Sequence, residues 1–287
     1  MSEGDSNSLS GKLAKAQRGL IRTQKHIWQR MNLDQSAPKT PLWVVGNQRS
    51  GTTMLMKVLE KSRHMRVFQE HSRSAFQDDW RLQPTEVIQG LIANSYAPTV
   101  VFKPLCDAHL TDQLLTTYPN SKAIWIYRSY TDVASSAVKK WGEHLKDVMR
   151  QITVGDWHAL GWRGERLNPE VMALVKRLYS PELGVEESAA LQWYLRNHFY
   201  FELGLDTNPN VLLIRYETLV ADPSGEFQRI FAFTETPYDA EVIAEVSERS
   251  VGKGKWVSVN PELQQTLEGL LTQLDSKFFA EHPTHKA

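Results

Sequence analysis

Five short apolar runs punctuate the chain: "LWVVG" (42–46), "MRVF" (65–68), "TVVF" (99–102), "AIWIY" (123–127) and "VLLI" (211–214). None of them alternates polar with apolar residues, so each predicts a strand buried on both faces. Helical patterns lie between the runs, and together they predict an α/β fold with a central parallel sheet of about five strands flanked by helices. Directly after the first run, Met54, Leu55, Val58 and Leu59 recur at helical spacing over residues 51–61, which reads as strand, loop, helix. "EESAALQWYLRNHFYFEL" predicts one long helix. The stretch from Gly142 to Gly184 is less regular, with Trp157 and Trp162 among glycines and charges just after Trp141. It reads as an irregular insertion around 142–190 that serves either as a substrate-side wall or as an accessory helical layer. The first forty residues are polar and basic, and Leu13, Leu20, Ile21, Ile27 and Trp28 line one side of a helix there. The expected organisation is a polar helical extension (1–40) ahead of a single domain (41–287).

Composition narrows this picture by exclusion. The 287 residues, 41% hydrophobic and 23% charged, suit one embellished globular domain. Lysine plus arginine equal aspartate plus glutamate at 33 each, so no global charge draws the chain to nucleic acid or to an anionic membrane, and any anion site is local. A single cysteine, Cys106, excludes an internal disulfide framework and a cysteine zinc cluster, and suits a reducing, cytoplasmic compartment. No stretch has the apolar length of a membrane span, and no secretory signal is visible. The histidines lack ligand spacings such as H-E-x-x-H, so no metal site is expected.

The candidate chemistry begins with "GNQRSGTT" (46–53), a phosphate-loop pattern with Thr52 where a nucleoside-triphosphate loop carries lysine. A glycine-bounded loop between strand and helix turns backbone N–H groups toward an anion at the positive helix end. Ser50, Thr52 and Thr53 add hydroxyls, and Arg49 supplies a cation whose planar fork fits a tetrahedral oxyanion. A second strand-to-helix transition, "IWIYRSYTDVASS", carries Arg128 at a strand end and Ser136 eight residues later, with Thr131 or Asp132 as the expected N-cap. Arg128 and Ser136 are expected to converge on one phosphate. Two such transitions suit a nucleotide with two separated phosphate groups, unlike ATP.

With these residues the chain resembles the sulfotransferases that use 3′-phosphoadenosine 5′-phosphosulfate (PAPS). The resemblance implies that "RSGTT" (Arg49, Ser50, Gly51, Thr52, Thr53), with Gln48 beside it, holds the 5′-phosphosulfate, and that Arg128 and Ser136 hold the 3′-phosphate. "RYETLVADP" (215–223) is similar to the family's late strand and loop, offering Tyr216 to the nucleotide or to packing, with Arg215 and Glu217 structural. "VGKGKW" (251–256) resembles its basic loop, implying Lys253, Lys255 and Trp256 at the nucleotide. The resemblance further implies Arg49 and Lys103 as the cations that stabilise the departing nucleotide. Where cytosolic members place a catalytic histidine two residues after that lysine, this chain has Leu105. "EHSR" (70–73) is similar to the "EETR" of the tyrosylprotein enzymes, which with the carbohydrate enzymes carry a glutamate base after this strand. Glu70 is therefore the expected general base. His71 and Arg73 are candidates to orient it or to touch the acceptor, and His109 is expected to be structural.

The implied reaction moves a sulfonate from PAPS to an acceptor hydroxyl (sugar, tyrosine or other alcohol) or to an amine, leaving 3′-phosphoadenosine 5′-phosphate (PAP), without a metal. The partner is then a small-molecule, saccharide or peptide acceptor. Two rivals are a phosphotransferase using ATP and Mg²⁺, which lacks its loop lysine, and a silent nucleotide-binding module, which has no use for Arg49, Glu70 and Lys103 together.

Overall fold

The computed structural model describes residues 9–244, 246, 251, 252, 254 and 260–282, with the side chains of the first helix described from Gly19 on. Its first half runs α1 (Leu9–Asn32), β1 (Thr40–Gly46), α2 (Thr52–Lys61), β2 (Met65–Phe68), α3 (Thr85–Ala93), β3 (Thr99–Phe102), α4 (Thr111–Thr117), β4 (Lys122–Tyr127) and α5 (Tyr130–Trp141). The second half runs α6 (His144–Val154), α7 (Trp157–Leu160), α8 (Pro169–Leu178), α9 (Val185–Asn197), α10 (Phe199–Glu202), β5 (Val211–Arg215), α11 (Tyr216–Ala221), α12 (Pro223–Phe233) and α13 (Pro261–Glu281).

The five apolar runs are the five strands, in the order β2-β3-β1-β4-β5, with every neighbouring pair parallel. Trp43 of β1 lies opposite Phe102 of β3 on one side and Ala123 of β4 on the other. Alternate side chains explain the missing polar alternation. Trp43, Val45, Phe102, Trp125 and Tyr127 enter one apolar layer, which α5, α6, α8, α9 and α13 cover. Leu42, Val44, Val101, Ile124 and Ile126 enter the other, packed on α2, α11 and α12. Each fully buried large side chain contributes roughly 1.5–3 kcal/mol, so a strand that feeds two layers has no position to spare for solvent. The order reverses at β1 and β4, and the crevice beyond the carboxyl ends of such strands is where open α/β sheets bind ligands.

The segment expected to be irregular is largely helical. Leu145, Val148, Met149 and Ile152 of α6 and Val171, Val175 and Leu178 of α8 are buried at helical spacing. Glycine hides part of the pattern in the sequence because it ends α6 and α7: α6 stops at Gly155, whose φ of 73° closes the last turn, and α7 stops at Gly161. The helix expected as one piece is broken at His198 into α9 and α10. The apolar stripe expected of the N-terminal helix does not dock α1: Leu20, Ile21 and Ile27 are exposed, and Leu13 lies among the side chains outside the described residues. Of the stripe, half-buried Trp28 does pack, edge-on to His64 at 5.7 Å between ring centres, and polar contacts add to it. Lys25 Nζ donates to the Glu60 carbonyl at 2.6 Å, and buried Gln29 donates to the Arg63 carbonyl at 2.8 Å. No helix among the described residues is long and apolar enough to cross a membrane.

Candidate active site

The loop from β1 to α2 is held open at its anion-facing end. Gly51, at φ 95°, is the N-cap of α2, and no side chain caps the helix; the Met54 and Leu55 amides donate to the Gly51 carbonyl, which leaves the Thr52 and Thr53 N–H groups at the helix start for an anion. A Cβ on Gly51 would stand 2.1 Å from the Tyr216 ring, so only glycine fits. Arg49 takes a left-handed φ of 70°, a strained conformation for a residue with a side chain. Ser50 is fully buried, and its Oγ has no hydrogen-bond partner among the described residues. A buried hydroxyl left open costs about 1–3 kcal/mol and marks a place for a ligand oxygen. Open amides, a free hydroxyl and an adjacent guanidinium fit a phosphosulfate.

The second transition differs from expectation in one way and adds to it in another. Ser129, not Thr131 or Asp132, is the N-cap of α5, because the Asp132 carboxylate is engaged elsewhere. It accepts Arg128 Nη2 at 2.9 Å, the Gly252 amide at 2.9 Å and the Gly254 amide at 2.6 Å. Burial works to raise the Asp132 carboxyl, but these bonds outweigh it and hold the group below the usual aspartate range. Ser136 also has a partner that the spacing did not indicate: Arg49 Nε donates to Ser136 Oγ at 3.0 Å. The phosphate loop and the second motif are thus joined directly. Arg128 is buried, with its guanidinium 4.6 Å from the centre of the Tyr216 ring, so Tyr216 packs between Gly51 and Arg128.

Lys103 follows β3 and is 3% exposed. Its Nζ donates to Thr53 Oγ1 at 2.9 Å and stands 3.4 Å from Glu70 Oε1. Burial lowers the Lys103 ammonium, with Glu70 opposing that shift and Arg49 adding to it. One cation therefore touches both the phosphate loop and the carboxylate expected to be the base. Gln48 lies half-buried beside the loop.

Other expected residues lie apart. His71 is exposed, and Arg73 pairs with Asp78 at the surface instead of orienting Glu70. His109 is fully buried, with Nε2 2.8 Å from Glu165 Oε2, and burial lowers its ring to about 4 against the pull of Glu165. Glu217 accepts the Ser129 amide at 2.9 Å, and Arg215 bonds Asp275 at 3.0 Å; both tie elements together. Lys253, Lys255 and Trp256 lie outside the described residues.

Sequence reasoning offered the segment around 142–190 as a wall but did not single out its arginines or Gln192. A cavity opens from Gly46, Asn47, Gln48 and Leu105 toward α5, α6 and α9, and Trp162, Arg163, Gln192 and Arg196 line it. Ala189, Gln192, Trp193 and Arg196 recur at i, i+3, i+4 and i+7 on α9, the spacing that could have put this arginine on one face with the tryptophan.

The Sulfotransferase domain family model matches residues 39–280. No curated protein matches the chain. Solved structures similar to it include a sulfotransferase from Alicyclobacillus acidocaldarius, 17% identical with TM-score 0.46, covering 85% of this chain and 95% of that one. Another is the sulfotransferase domain from the Synechococcus PCC 7002 olefin synthase, 14% identical with TM-score 0.44, covering 84% and 94%. A third is a mouse sulfotransferase complexed with PAP, 15% identical with TM-score 0.42, covering 89% and 88%. The domain match decides the family: the chain belongs to the sulfotransferases.

Proposed function

We propose that this sulfotransferase takes its sulfonate from PAPS and passes it in line to an acceptor hydroxyl, with Glu70 as general base. The sulfur–oxygen bond to the nucleotide breaks, the bond from sulfur to the acceptor oxygen forms, the acceptor proton goes to Glu70, and PAP leaves. The observation that carries this reading is the position of Lys103 Nζ, 2.9 Å from Thr53 of the phosphate loop and 3.4 Å from Glu70. An anion held on the loop then lies against Lys103, and a hydroxyl attacking it lies against Glu70.

In this reading the amides and side chains of Gln48 to Thr53 hold the phosphosulfate, and the open Ser50 hydroxyl finds its partner there. Arg128 holds the 3′-phosphate. Ser136, bonded to Arg49, links the two ends of the nucleotide, and Tyr216, Lys253, Lys255 and Trp256 line its path. Arg49 and Lys103 offset the charge that grows on the leaving oxygen. At an effective dielectric near 20, a unit charge about 4 Å away contributes about 4 kcal/mol, enough to supply this role without a metal. Residues 41–287 act as one domain, and the helical segment around 142–190 forms the acceptor side.

The Glu70→Gln variant tests the assignment. The expected result is a fall in kcat of about 10²–10⁴, read by transfer of labelled sulfonate, with the calorimetric affinity for PAP close to that of the unsubstituted enzyme. Full activity in that variant contradicts the base.

A further inference from the structure

Two arginines on the acceptor side have no counter-ion. The guanidinium carbons of Arg163 and Arg196 each stand 4.5 Å from the centre of the Trp162 ring, and all three residues line the cavity beside the phosphate loop. Among the described residues, no carboxylate lies within ion-pair distance of either guanidinium. The nearby acids are committed to other partners. Glu165 is held by His109 at 2.8 Å and by Arg81 at 2.5 Å; Asp107 is held by Arg81 at 2.9 Å and by the Leu82 amide at 2.8 Å. Arg196 Nη2 reaches only the Arg163 carbonyl, at 3.3 Å, and its Nη1 is sealed from solvent without a hydrogen-bond partner.

Burial depresses both guanidinium groups, Arg196 to about 10, and the charge of Arg163 depresses Arg196 further. A desolvated pair of like charges is unfavourable unless an anion joins it. One side of the cavity wall is apolar, built from Val133, Ala137, Leu145, Val148 and Ile152, and Asn47, Gln48 and Gln192 are its uncharged polar members. Leu105 of this wall stands two residues after Lys103, whose Nζ is 3.4 Å from Glu70, so the cavity runs beside the carboxylate.

We propose that the acceptor is an amphipathic alcohol bearing a carboxylate, which Arg163 and Arg196 grip while its apolar body lies along the apolar wall and its hydroxyl faces Glu70. This rests on the sulfonate-transfer reading above. Arginine is suited to the task because its fork gives two parallel bonds to a carboxylate, and Trp162 fixes the planes of both forks.

The test is calorimetric binding of matched pairs to the full chain with PAP present: 4-hydroxyphenylacetate against its amide, and 8-hydroxyoctanoate against its amide. The expected result is that at least one acid binds about tenfold or more tighter than its amide. That ratio should fall toward one in Arg163→Met and Arg196→Met, which keep the apolar stem. Equal binding of acid and amide in both pairs overturns the proposal, and so does a preference that survives both substitutions. The ratio on the unsubstituted chain decides the matter even if a variant fails to fold. The donor reading fails separately: absence of PAP binding would sink it, while the acid–amide comparison still reads out on the nucleotide-free protein.

Discussion

The cations on the two sides of the cleft are kept in opposite ways. On the donor side each has a partner within the chain: Arg49 bonds Ser136, Lys103 bonds Thr53 beside Glu70, and Arg128 bonds Asp132. Across the cleft, Arg163 and Arg196 share a tryptophan ring and no carboxylate among the described residues. The donor side is therefore organised before any ligand arrives, by groups a nucleotide need only add to. The acceptor side keeps unbalanced charge that its ligand must complete. Preorganisation of the first kind suits a donor that is the same at every turnover, and under the proposal above the second kind would select one class of acceptor.

The largest expected effect comes from breaking the donor-side pairing. Arg128→Met strands the buried Asp132 carboxylate, and losing one partner of such a pair costs about 3–5 kcal/mol of stability, measurable by chemical denaturation. The same variant should lose most of the preference for PAP over adenosine monophosphate, which lacks the 3′-phosphate. An unchanged preference would detach Arg128 from that role.

Acid should loosen the acceptor side first. His109 binds a proton near 6.5 when unfolded but only near 4 when buried. Between those values the unfolded chain holds more protons, so stability falls as pH drops from about 6.5 to about 4, by up to about 3 kcal/mol, and this contribution is flat above 6.5. Asp132, held below its ordinary range, keeps its contribution until pH falls lower still. Thermal melts across this window should show the loss, and His109→Gln should flatten it; an equal slope in the variant would remove His109 as the cause.

The smallest effect tests whether the two sides are separable. Ile152→Val, in the apolar cavity wall, should cost about 0.5–1.5 kcal/mol in denaturation while leaving PAP affinity unaltered. A matching loss of PAP affinity would show that the wall and the donor loop are coupled.

The two sides also differed in how far the sequence revealed them. All five strands were legible because a strand buried on both faces has to be apolar throughout, and the phosphate loop was legible because Gly51 admits no side chain against Tyr216. Position in space was harder. The spacing of Arg128 and Ser136 on one strand and helix gave no sign that Ser136 also bonds Arg49, 87 residues away. The N-cap of α5 was misplaced because Asp132, a good cap by type, is drawn to Arg128 and to the Gly252 and Gly254 amides. The helices of the acceptor side were hidden by their shortness, since α7 spans four residues and α6 ends on a glycine. Arg163 and Arg196 come together only through the packing of α9 on the turn at 161–164, which no local pattern encodes.

The central claim is that the loop without its lysine is built for a nucleotide with two separated phosphate groups. Calorimetric titration of the unsubstituted chain tests it most directly, with PAP in the presence of a chelator and with ATP in the presence of magnesium. The account predicts that PAP binds without metal and about tenfold or more tighter than ATP. Tight binding of ATP with magnesium, and no heat from PAP, would contradict it.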